Sequence, residues 1–282
     1  MTRDKTEPEA VAVPWVVVTG ASEGIGLHIA HRFAALGRDV ILVARGEERL
    51  RTAASAIADR HGVRAIPVAL DLTVADAAAR IAAAADAAGG YVDVLVNNAG
   101  IGLSGRFDEG PTDQIAALLD LNVRALTVLS RHFLPGMRTR RRGGILNIAS
   151  LAGYTPGPWQ AVYYASKAYV ISLSEALAAE VAADRVRITV VAPGPVATGF
   201  HDKMGAVDCF YRFLLPMPGP ESIALFAVIG YRLGLRLVLP DIWGLVMMPF
   251  LRILPHRVTV PMVGWLLRPR RHEVEDARGP GA

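Results

Sequence analysis

The chain has too few cysteines for a disulfide framework and no pattern of metal ligands. Its 282 residues include one cysteine, Cys209, which excludes an intrachain disulfide. The seven histidines are scattered, and none forms the His-x-x-x-His pair of a helical metal site. We therefore expect no bound metal and a reducing, cytoplasmic setting.

Long hydrophobic runs are also missing. No window reaches about 18 uncharged apolar residues, so a simple membrane-spanning helix is not expected. Residues 1–9 are charged and polar and lack the basic-then-apolar order of a signal peptide. Hydrophobic residues nevertheless make up 52% of the chain and charged residues 20%, which excludes a disordered protein and is enough for a full core.

Excess charge of one sign is small. The formal net charge is +4 at pH 7, and the arginines of the run 138–142 supply much of the local excess. Without a nucleic-acid-binding motif beside it, this run is interpreted as a solvated loop. We expect no nucleic-acid partner.

Short apolar runs alternate with helical patterns along most of the chain. Strands are predicted over 13–19, 40–44, 64–70, 92–96, 144–149, 186–191 and 235–239, and the helices between them over 27–36, 47–60, 74–88, 112–133 and 161–181. This alternation predicts right-handed βαβ units and an α/β fold with a doubly wound parallel sheet of about seven strands. We expect a flexible tail over 1–12, one catalytic domain over 13–240, and an apolar extension with a basic tail over 241–282.

A glycine-rich turn directly follows the first predicted strand. Gly20, Gly24 and Gly26 are spaced as Gly-x-x-x-Gly-x-Gly, and a helical pattern comes next. Backbone amides and a helix N-terminus in this position bind a pyrophosphate. Three glycines also suit an ordinary tight turn, but the strand before them and the helix after them favour dinucleotide binding.

The end of the second strand indicates which nicotinamide cofactor is used. NAD-binding folds place an acid about 20 residues after the glycine turn, where it binds the ribose 2′-hydroxyl. This chain has Arg45 there, and a guanidinium attracts a 2′-phosphate. We expect NADP(H), with Arg45 as the main phosphate partner because the turn itself carries Glu23. The alternative is that Arg45 is a surface residue and that Glu47 or Glu48 binds the ribose.

Tyr163 and Lys167 lie four residues apart in the predicted helix 161–181. This spacing places both side chains on one helix face. A nearby ammonium favours the phenolate, so Tyr163 is a candidate acid or base near neutral pH. The same spacing is common by chance, so the pair needs support from other residues.

Several motifs in a fixed order resemble the short-chain dehydrogenase/reductase family over about residues 13–200. They are Thr19-Gly20-x-x-x-Gly24-x-Gly26, Asp71 after the third strand, Asn97-Asn98-Ala99-Gly100, Asn122, Ser150, Tyr163-x-x-x-Lys167 and Pro193-Gly194. Ser150 lies thirteen residues before Tyr163, the usual spacing in this family. The resemblance implies a Rossmann fold and an oxidoreductase.

The resemblance also implies a role for each matched residue. Tyr163 would exchange a proton with the substrate oxygen, and Ser150 would hydrogen-bond that oxygen. Lys167 would lower the pKa of the phenol and hold the nicotinamide ribose, and Asn122 would hold a water that relays protons to Lys167. The implied cofactor-binding residues are Gly20, Ser22, Gly24, Ile25, Arg45, Asp71, Leu72, Asn98, Tyr163, Lys167, Val196 and Thr198. Taken one at a time, several of these side chains also suit turn, cap and helix-interior positions.

The region after Pro193-Gly194 has more large apolar residues than a loop normally carries. Residues 195–230 are predicted as a substrate loop, which is either a lid over an apolar substrate or a helix packed on the core. Two apolar helices are predicted over 242–251 and 258–267, each too short to span a bilayer. With Trp243, Trp265 and the arginines around them, residues 242–271 suit peripheral membrane contact, a lid or an oligomer contact.

These features predict an NADP(H)-dependent oxidoreductase that reduces a lipophilic ketone, such as a 3-ketoacyl or steroid-like compound, or oxidises the alcohol. From Pro220 onward the chain has a looser likeness to long-chain 3-ketoacyl reductases and hydroxysteroid dehydrogenases. The family resemblance implies a homodimer or homotetramer built on the Asn122 and Tyr163 helices. The alternatives are a non-catalytic NADPH-binding regulator and an isomerase or dehydratase of the same fold. The regulator is disfavoured because the serine, tyrosine and lysine are all present.

Overall fold

A parallel sheet forms the centre of the molecule in the computed structural model, which describes residues 12–269. Its strands are β1 (Val13–Thr19), β2 (Val40–Ala44), β3 (Ala65–Ala69), β4 (Gly90–Asn97), β5 (Gly144–Ile148), β6 (Arg187–Val191) and β7 (Leu237–Val238). They lie in the order β3-β2-β1-β4-β5-β6-β7. The chain direction across the sheet reverses between β1 and β4, which is where ligands bind in such folds. The predicted doubly wound parallel sheet is confirmed.

Helices cover both faces of this sheet. They are α1 (Gly24–Ala34), α2 (Glu47–His61), α3 (Ala77–Ala87), α4 (Thr112–Leu119), α5 (Leu126–Arg140), α6 (Ala161–Glu180), α7 (Phe200–Lys203), α8 (Tyr211–Leu214), α9 (Pro220–Leu233), α10 (Ile242–Ile253) and α11 (His256–Leu267). A π-helical segment, Asp120–Ala125, joins α4 to α5, and a 3-10 turn, Leu151–Tyr154, follows β5.

The core has two layers because successive strand residues point to opposite faces of the sheet. In β1, Val16 and Val18 pack with α1, α2 and α9, whereas Trp15 and Val17 pack with α3 and α5 on the other face. All four side chains are fully buried. A strand apolar on both faces is typical of a parallel sheet between helix layers.

Three predicted elements differ from the structure. The helix predicted over 112–133 is interrupted by the π-helical segment and continues to Arg140. The substrate loop predicted over 195–230 ends before Pro220, because α9 packs on α1 and buries Ile223 and Ala227. The last strand shrinks from the predicted 235–239 to two residues, since it pairs only with the end of β6.

The C-terminal helices α10 and α11 lie beyond the sheet and pack on the region that follows β6. Leu251 and Val263 are buried in a cluster with Met204 and Tyr211. Between residues 12 and 269, no helix combines the length and apolar character needed to cross a membrane. Most of the expected tail over 1–12 and the basic tail after Pro269 lie outside the described residues.

Candidate active site

The glycine turn after β1 is fixed by Asn98 at the end of β4. The Asn98 amide donates to the Thr19 carbonyl at 2.9 Å and to the Gly20 carbonyl at 3.1 Å. Gly20 has a φ of +63°, and a Cβ on Gly26 would lie 2.4 Å from both Asn98 Nδ2 and the Gly20 oxygen. Side chains are therefore excluded at both glycines. The Asn98 amide itself holds the turn and keeps the N-terminus of α1 open.

A cavity of about 890 Å³ runs from this turn to α11. It brings together every site residue predicted from the sequence except Asn122; those lining it are Gly20, Ser22, Gly24, Ile25, Arg45, Asp71, Leu72, Asn98, Ser150, Tyr163, Lys167, Val196 and Thr198. Its mouth is at the carboxyl ends of the strands, as the topology requires.

Asp71 and Arg45 lie at one end of the cavity. Asp71 Oδ1 accepts hydrogen bonds from the Thr73 amide at 2.9 Å and the Thr73 hydroxyl at 2.8 Å. These bonds hold the pKa of the Asp71 carboxyl below its usual value, and the charge of Arg45 lowers it further. The Arg45 side chain is exposed at the rim, where it is accessible to an anionic ligand.

Glu23, inside the glycine turn, is paired with two cations that the sequence did not single out. Arg49 Nη1 lies 3.3 Å from Glu23 Oε2, and Lys203 Nζ pairs with the other carboxylate oxygen. Both cations line the cavity. Glu23 is therefore neutralised locally, which removes the objection that an acid in the turn would repel a phosphate. Lys203 lies 180 residues away in sequence, so no local signal could have revealed the pairing.

Ser150 and Tyr163 converge on the middle of the cavity from β5 and α6. Ser150 Oγ accepts from the Ala152 amide at 3.2 Å and donates to the Pro193 carbonyl at 3.3 Å, which fixes it at the strand end. Tyr163 is partly open to the cavity but enclosed by protein, and burial raises the pKa of its phenol to about 12. Hydrogen bonding with Ser150 acts in the opposite direction but is the smaller effect.

Lys167 is buried beside Tyr163. Its Nζ donates to the Ile148 carbonyl at 2.9 Å and lies 5.7 Å from the centre of the Tyr163 ring. Burial lowers the pKa of Lys167 to about 8. Burial is the larger influence on the pKa of Tyr163, because an enclosed site favours the neutral forms of both groups.

Asn122 lies outside the cavity, buried in the π-helical segment. Its Oδ1 accepts from the Ile101 amide at 2.9 Å, and its Nδ2 donates to the Ile101 carbonyl at 2.8 Å and to Ser166 Oγ at 3.2 Å. Gly100 lies between Asn122 and the lysine: a Cβ there would be 3.1 Å from Asn122 Oδ1 and 3.7 Å from Lys167 Nζ. Asn122 therefore supports the site through backbone and Ser166 contacts.

On the far side of Tyr163 the cavity becomes an apolar chamber. The Phe200 ring centre lies 5.6 Å from that of Tyr163. The other large side chains of the chamber come from α6, the segment after β6 and the two C-terminal helices; they include Tyr164, Met204, Tyr211, Leu215, Met247, Leu251, Met262, Val263 and Leu266. The segment from Phe200 to Leu215 packs in a buried cluster and also lines the cavity.

Asp241 connects helix α10, which borders the chamber, to the Pro193-Gly194 segment. Sequence reasoning did not identify this residue. Its Oδ2 accepts from the Gly194 amide at 2.9 Å, and its Oδ1 accepts from the Gly244 amide at 2.7 Å as the N-cap of α10. One carboxylate thereby holds the Pro193-Gly194 segment against α10. The helix-start signal was present, but the partner 47 residues earlier was not readable.

A glycine turn at the switch point of a parallel sheet, with serine, tyrosine and lysine on the adjoining cavity, defines a dinucleotide-dependent oxidoreductase of the Rossmann type. The profile of the family described as short chain dehydrogenase matches residues 14–207. This chain belongs to the short chain dehydrogenase family.

Two curated relatives show where the chain lies within this family. A short chain dehydrogenase of Pseudocercospora fijiensis is 37% identical over 194 residues, covering 68% of this chain and 61% of the relative. A very-long-chain 3-oxoacyl-CoA reductase of Laccaria bicolor is 36% identical over 176 residues, covering 62% of this chain and 52% of the relative. The matches thus span little more than half of the relatives' lengths.

Several solved dehydrogenase structures are similar to this chain. The short-chain dehydrogenase from Sphingobium yanoikuyae in complex with NADPH has a TM-score of 0.75 and 31% identity, covering 82% of this chain and 89% of that one. The bulky-bulky ketone specific alcohol dehydrogenase from Comamonas testosteroni has a TM-score of 0.71 and 26% identity over 95% and 93% of the two chains. A 7β-hydroxysteroid dehydrogenase, at 22% identity, shares the fold with a TM-score of 0.79, covering 89% of this chain and 96% of that one. The predicted likeness to ketoacyl reductases is confirmed, and the likeness to hydroxysteroid dehydrogenases is one of fold.

Proposed function

We propose that this protein is an NADP(H)-dependent oxidoreductase that reduces a lipophilic ketone to a secondary alcohol, or catalyses the reverse oxidation. The main support is that one cavity contains a glycine turn suited to a nucleotide and an apolar chamber, with Ser150, Tyr163 and Lys167 where the two meet. A proton donor at that junction faces both the cofactor and the substrate, as carbonyl reduction requires.

The residues around the turn fit NADP(H). The backbone amides at the start of α1, where Cβ atoms are excluded, suit the pyrophosphate. Arg45 and Arg49 suit the 2′-phosphate, because a guanidinium binds phosphate oxygens in a fork. Asp71 and Leu72 would flank the adenine, and Val196 with Thr198 would border the nicotinamide end; all four line the cavity. The NADPH complex of the Sphingobium relative supports this assignment.

The chemistry consists of one hydride and one proton added across a C=O bond. When bound, NADPH would supply the hydride that adds to the carbonyl carbon. Tyr163 Oη gives its proton to the carbonyl oxygen, and a phenol with a pKa of about 12 carries that proton at neutral pH. The Ser150 hydroxyl would turn from the Pro193 carbonyl to donate a hydrogen bond to the same oxygen, where negative charge develops.

Lys167 and Asn122 support the proton donor in different ways. Lys167 Nζ is anchored on the Ile148 carbonyl and lines the cavity, where it would contact the nicotinamide ribose. Its pKa of about 8 lets it exchange protons near neutrality. Asn122 is a positioning residue, since it holds Ile101 and the Ser166 hydroxyl directly before Lys167.

The substrate class follows from the chamber. Its walls are aromatic and aliphatic, with the hydrogen-bonded pair His201 Nδ1 and Tyr211 Oη, 2.7 Å apart, as a polar feature. Such walls favour a ligand that is apolar on both sides of its carbonyl. The names of the Laccaria and Comamonas relatives, which refer to a very-long-chain 3-oxoacyl-CoA and to bulky ketones, support a substrate of this kind.

Self-association through α4, α5 and α6 is part of the proposal. Leu119, Val128 and Tyr169 are exposed apolar or aromatic side chains on these helices. Burying them against a second copy would stabilise a dimer. Light scattering tests this directly: Val128→Glu should lower the mass of an oligomer, and an unchanged mass places the contact elsewhere.

The proposed function is tested by following the decrease in NADPH absorbance with ketones of increasing apolar size. The same series is measured with NADH. We expect kcat/KM to rise with apolar size and to be higher with NADPH. Bound but unconsumed NADPH across all ketones, with no NADP⁺ reduction by the alcohols, would instead indicate a regulator. Product formation without a change in NADPH would indicate an isomerase or dehydratase.

A further inference from the structure

Helix α10 exposes an apolar stripe to solvent. Its exposed positions recur at the helical spacing of three and four residues and are Ile242, Leu245, Val246, Pro249, Phe250 and Ile253. Ile242 is 69% exposed and Ile253 80% exposed. The opposite side of the helix contains Gly244, Met247 and Leu251, which face the protein. A helix that is apolar on both its buried and its exposed faces is unusual at the surface of a water-soluble protein.

Helix α11 has the same arrangement. Thr259, Val263 and Leu267 are buried at a spacing of four residues. The outward positions are Val258, Pro261 and Trp265, whereas the partly exposed Met262 lines the chamber. Trp265 stacks on Phe210, with ring centres 5.1 Å apart, and Phe213 on the neighbouring α8 is 63% exposed. The inner sides of α10 and α11 pack into one cluster, so their exposed sides lie on the outside of the same cluster.

The charged residues within these two helices are of one sign. From Ile242 to Pro269 the chain has three arginines and no aspartate or glutamate. Arg252 and Arg257 are exposed where α10 passes into α11, with His256 between them. An apolar surface whose own helices carry arginines and no acids matches the boundary between acyl chains and anionic headgroups.

We propose that the outward side chains of α10 and α11, together called the docking face, bind the surface of an anionic lipid bilayer. The two helices lie in the plane of the interface, with Phe250, Ile253 and Trp265 below the headgroups. Arg252 and Arg257 extend to the lipid phosphates, since their stems can lie along the apolar surface while the charged groups remain in the headgroup layer. The residues predicted for this contact, 242–271, extend two residues beyond the described part of the chain.

This arrangement also gives the substrate a source, and that step rests on the proposed function. Met247 and Leu251 of α10 line the apolar chamber, while Val246 and Phe250 of the same helix belong to the docking face. The two sides are separated by about one helix diameter, ~10 Å. A ketone dissolved in the bilayer therefore reaches the chamber beside Tyr163 over a short apolar path.

Vesicle flotation of the full chain tests the binding step. We expect the protein to float with vesicles of phosphatidylcholine and phosphatidylglycerol at low salt. The floating fraction should be smaller with phosphatidylcholine alone, and high salt should lower it for both kinds of vesicle. Protein that stays in the soluble fraction with anionic vesicles at low salt overturns the proposal.

Matched variants locate the surface. Phe250→Glu and Ile253→Glu place a charge in the docking face without touching the chamber, and each should abolish flotation. Leu36→Glu makes the same kind of change at an exposed leucine beyond α1 and should float like the wild type. Arg252→Ala with Arg257→Ala should lower partitioning onto anionic vesicles roughly thirtyfold at low salt. Equal flotation of Leu36→Glu and Phe250→Glu would contradict the location.

A second copy of the chain is the competing occupant, and light scattering separates it from a bilayer. A wild-type dimer that Ile253→Glu converts to monomer, in protein that does not float, assigns the face to self-association and overturns the proposal.

An activity measurement separates membrane docking from the proposed enzymatic function. Phe250→Glu should match the wild type on a water-soluble ketone and lose rate on a long-chain ketone held in anionic vesicles. Flotation without activity on any ketone would leave docking intact and contradict the proposed function instead.

Discussion

Lys167 Nζ lies 5.7 Å from the centre of the Tyr163 ring, one turn along α6. The pair has the spacing expected of a lysine that promotes a phenolate, but enclosure drives both groups toward their neutral forms. Burial raises the pKa of Tyr163 to about 12 and lowers the pKa of Lys167 to about 8. At neutral pH the site therefore contains a protonated phenol beside an amine close to its titration point, which suits proton donation to a ketone.

The buried lysine predicts a distinctive pH dependence of stability. Its pKa changes from 10.5, the ordinary value for a solvated lysine, to about 8 in the fold, so between these values the unfolded chain binds more protons than the folded one. Stability of the wild type relative to Lys167→Met should therefore rise with pH across this window, by up to about 3 kcal/mol, and stay level on either side. Urea unfolding of both proteins between pH 7 and about 10 measures the difference.

Arg80→Met, which removes an exposed cation on α3, is the control for the loss of a charge at the surface. A wild-type-to-Lys167→Met difference that stays level through the whole window would mean that Lys167 is solvated in the folded protein.

Cofactor preference should depend on the cations at the rim of the nucleotide site. Arg45→Asp replaces a phosphate partner with a carboxylate that suits a ribose hydroxyl. The ratio of kcat/KM for NADPH over NADH should fall by roughly 10- to 100-fold. Arg49→Ala should lower the same ratio less, because Arg49 also pairs with Glu23. Arg80→Asp, an exposed change on α3, serves as the control, and an unchanged ratio in Arg45→Asp would remove Arg45 from the phosphate site.

Replacing Asp241 should change both the stability of the fold and the binding of substrate. Asp241→Ala removes both the α10 cap and the bond to the Gly194 amide. We expect a loss of about 1–2 kcal/mol and a lower Tm by roughly 2–6 °C, together with a raised KM. Thermal unfolding and initial rates measure both effects. Asp108→Ala, which removes an exposed partner of Arg106, should leave both near wild type; equal effects in the two variants would contradict the coupling.

Much of the fold could be predicted because its signals are local. The strand from Val13 to Thr19 has an apolar run and a glycine turn next to it, so both its extent and its position beside the nucleotide site were recoverable. Asn122 was recognised from its place in the motif order, yet the π-helical segment around it was not. Composition does not distinguish a π-helical turn from the α-helix on either side of it.

The parts that sequence reasoning missed depend on contacts between distant residues. Glu23 looked unfavourable for a phosphate until the structure placed Arg49 and Lys203 against it. The pKa of Tyr163 was expected to fall because spacing reports neighbours on the helix but not how completely the site is enclosed. Helix α9 was assigned to a loop, since its packing partner α1 lies almost 200 residues earlier.

The most direct measurement is the turnover of Tyr163→Phe with NADPH and an apolar ketone, beside its binding of NADPH. Tyr169→Phe loses the same hydroxyl on the same helix, outside the cavity, and should keep its turnover. For Tyr163→Phe we expect kcat to fall about 10²- to 10⁴-fold, because the proton donor is gone, while the Kd for NADPH stays within about twofold. If Tyr163→Phe retains turnover close to that of Tyr169→Phe, Tyr163 is not the proton donor and the proposed mechanism is wrong.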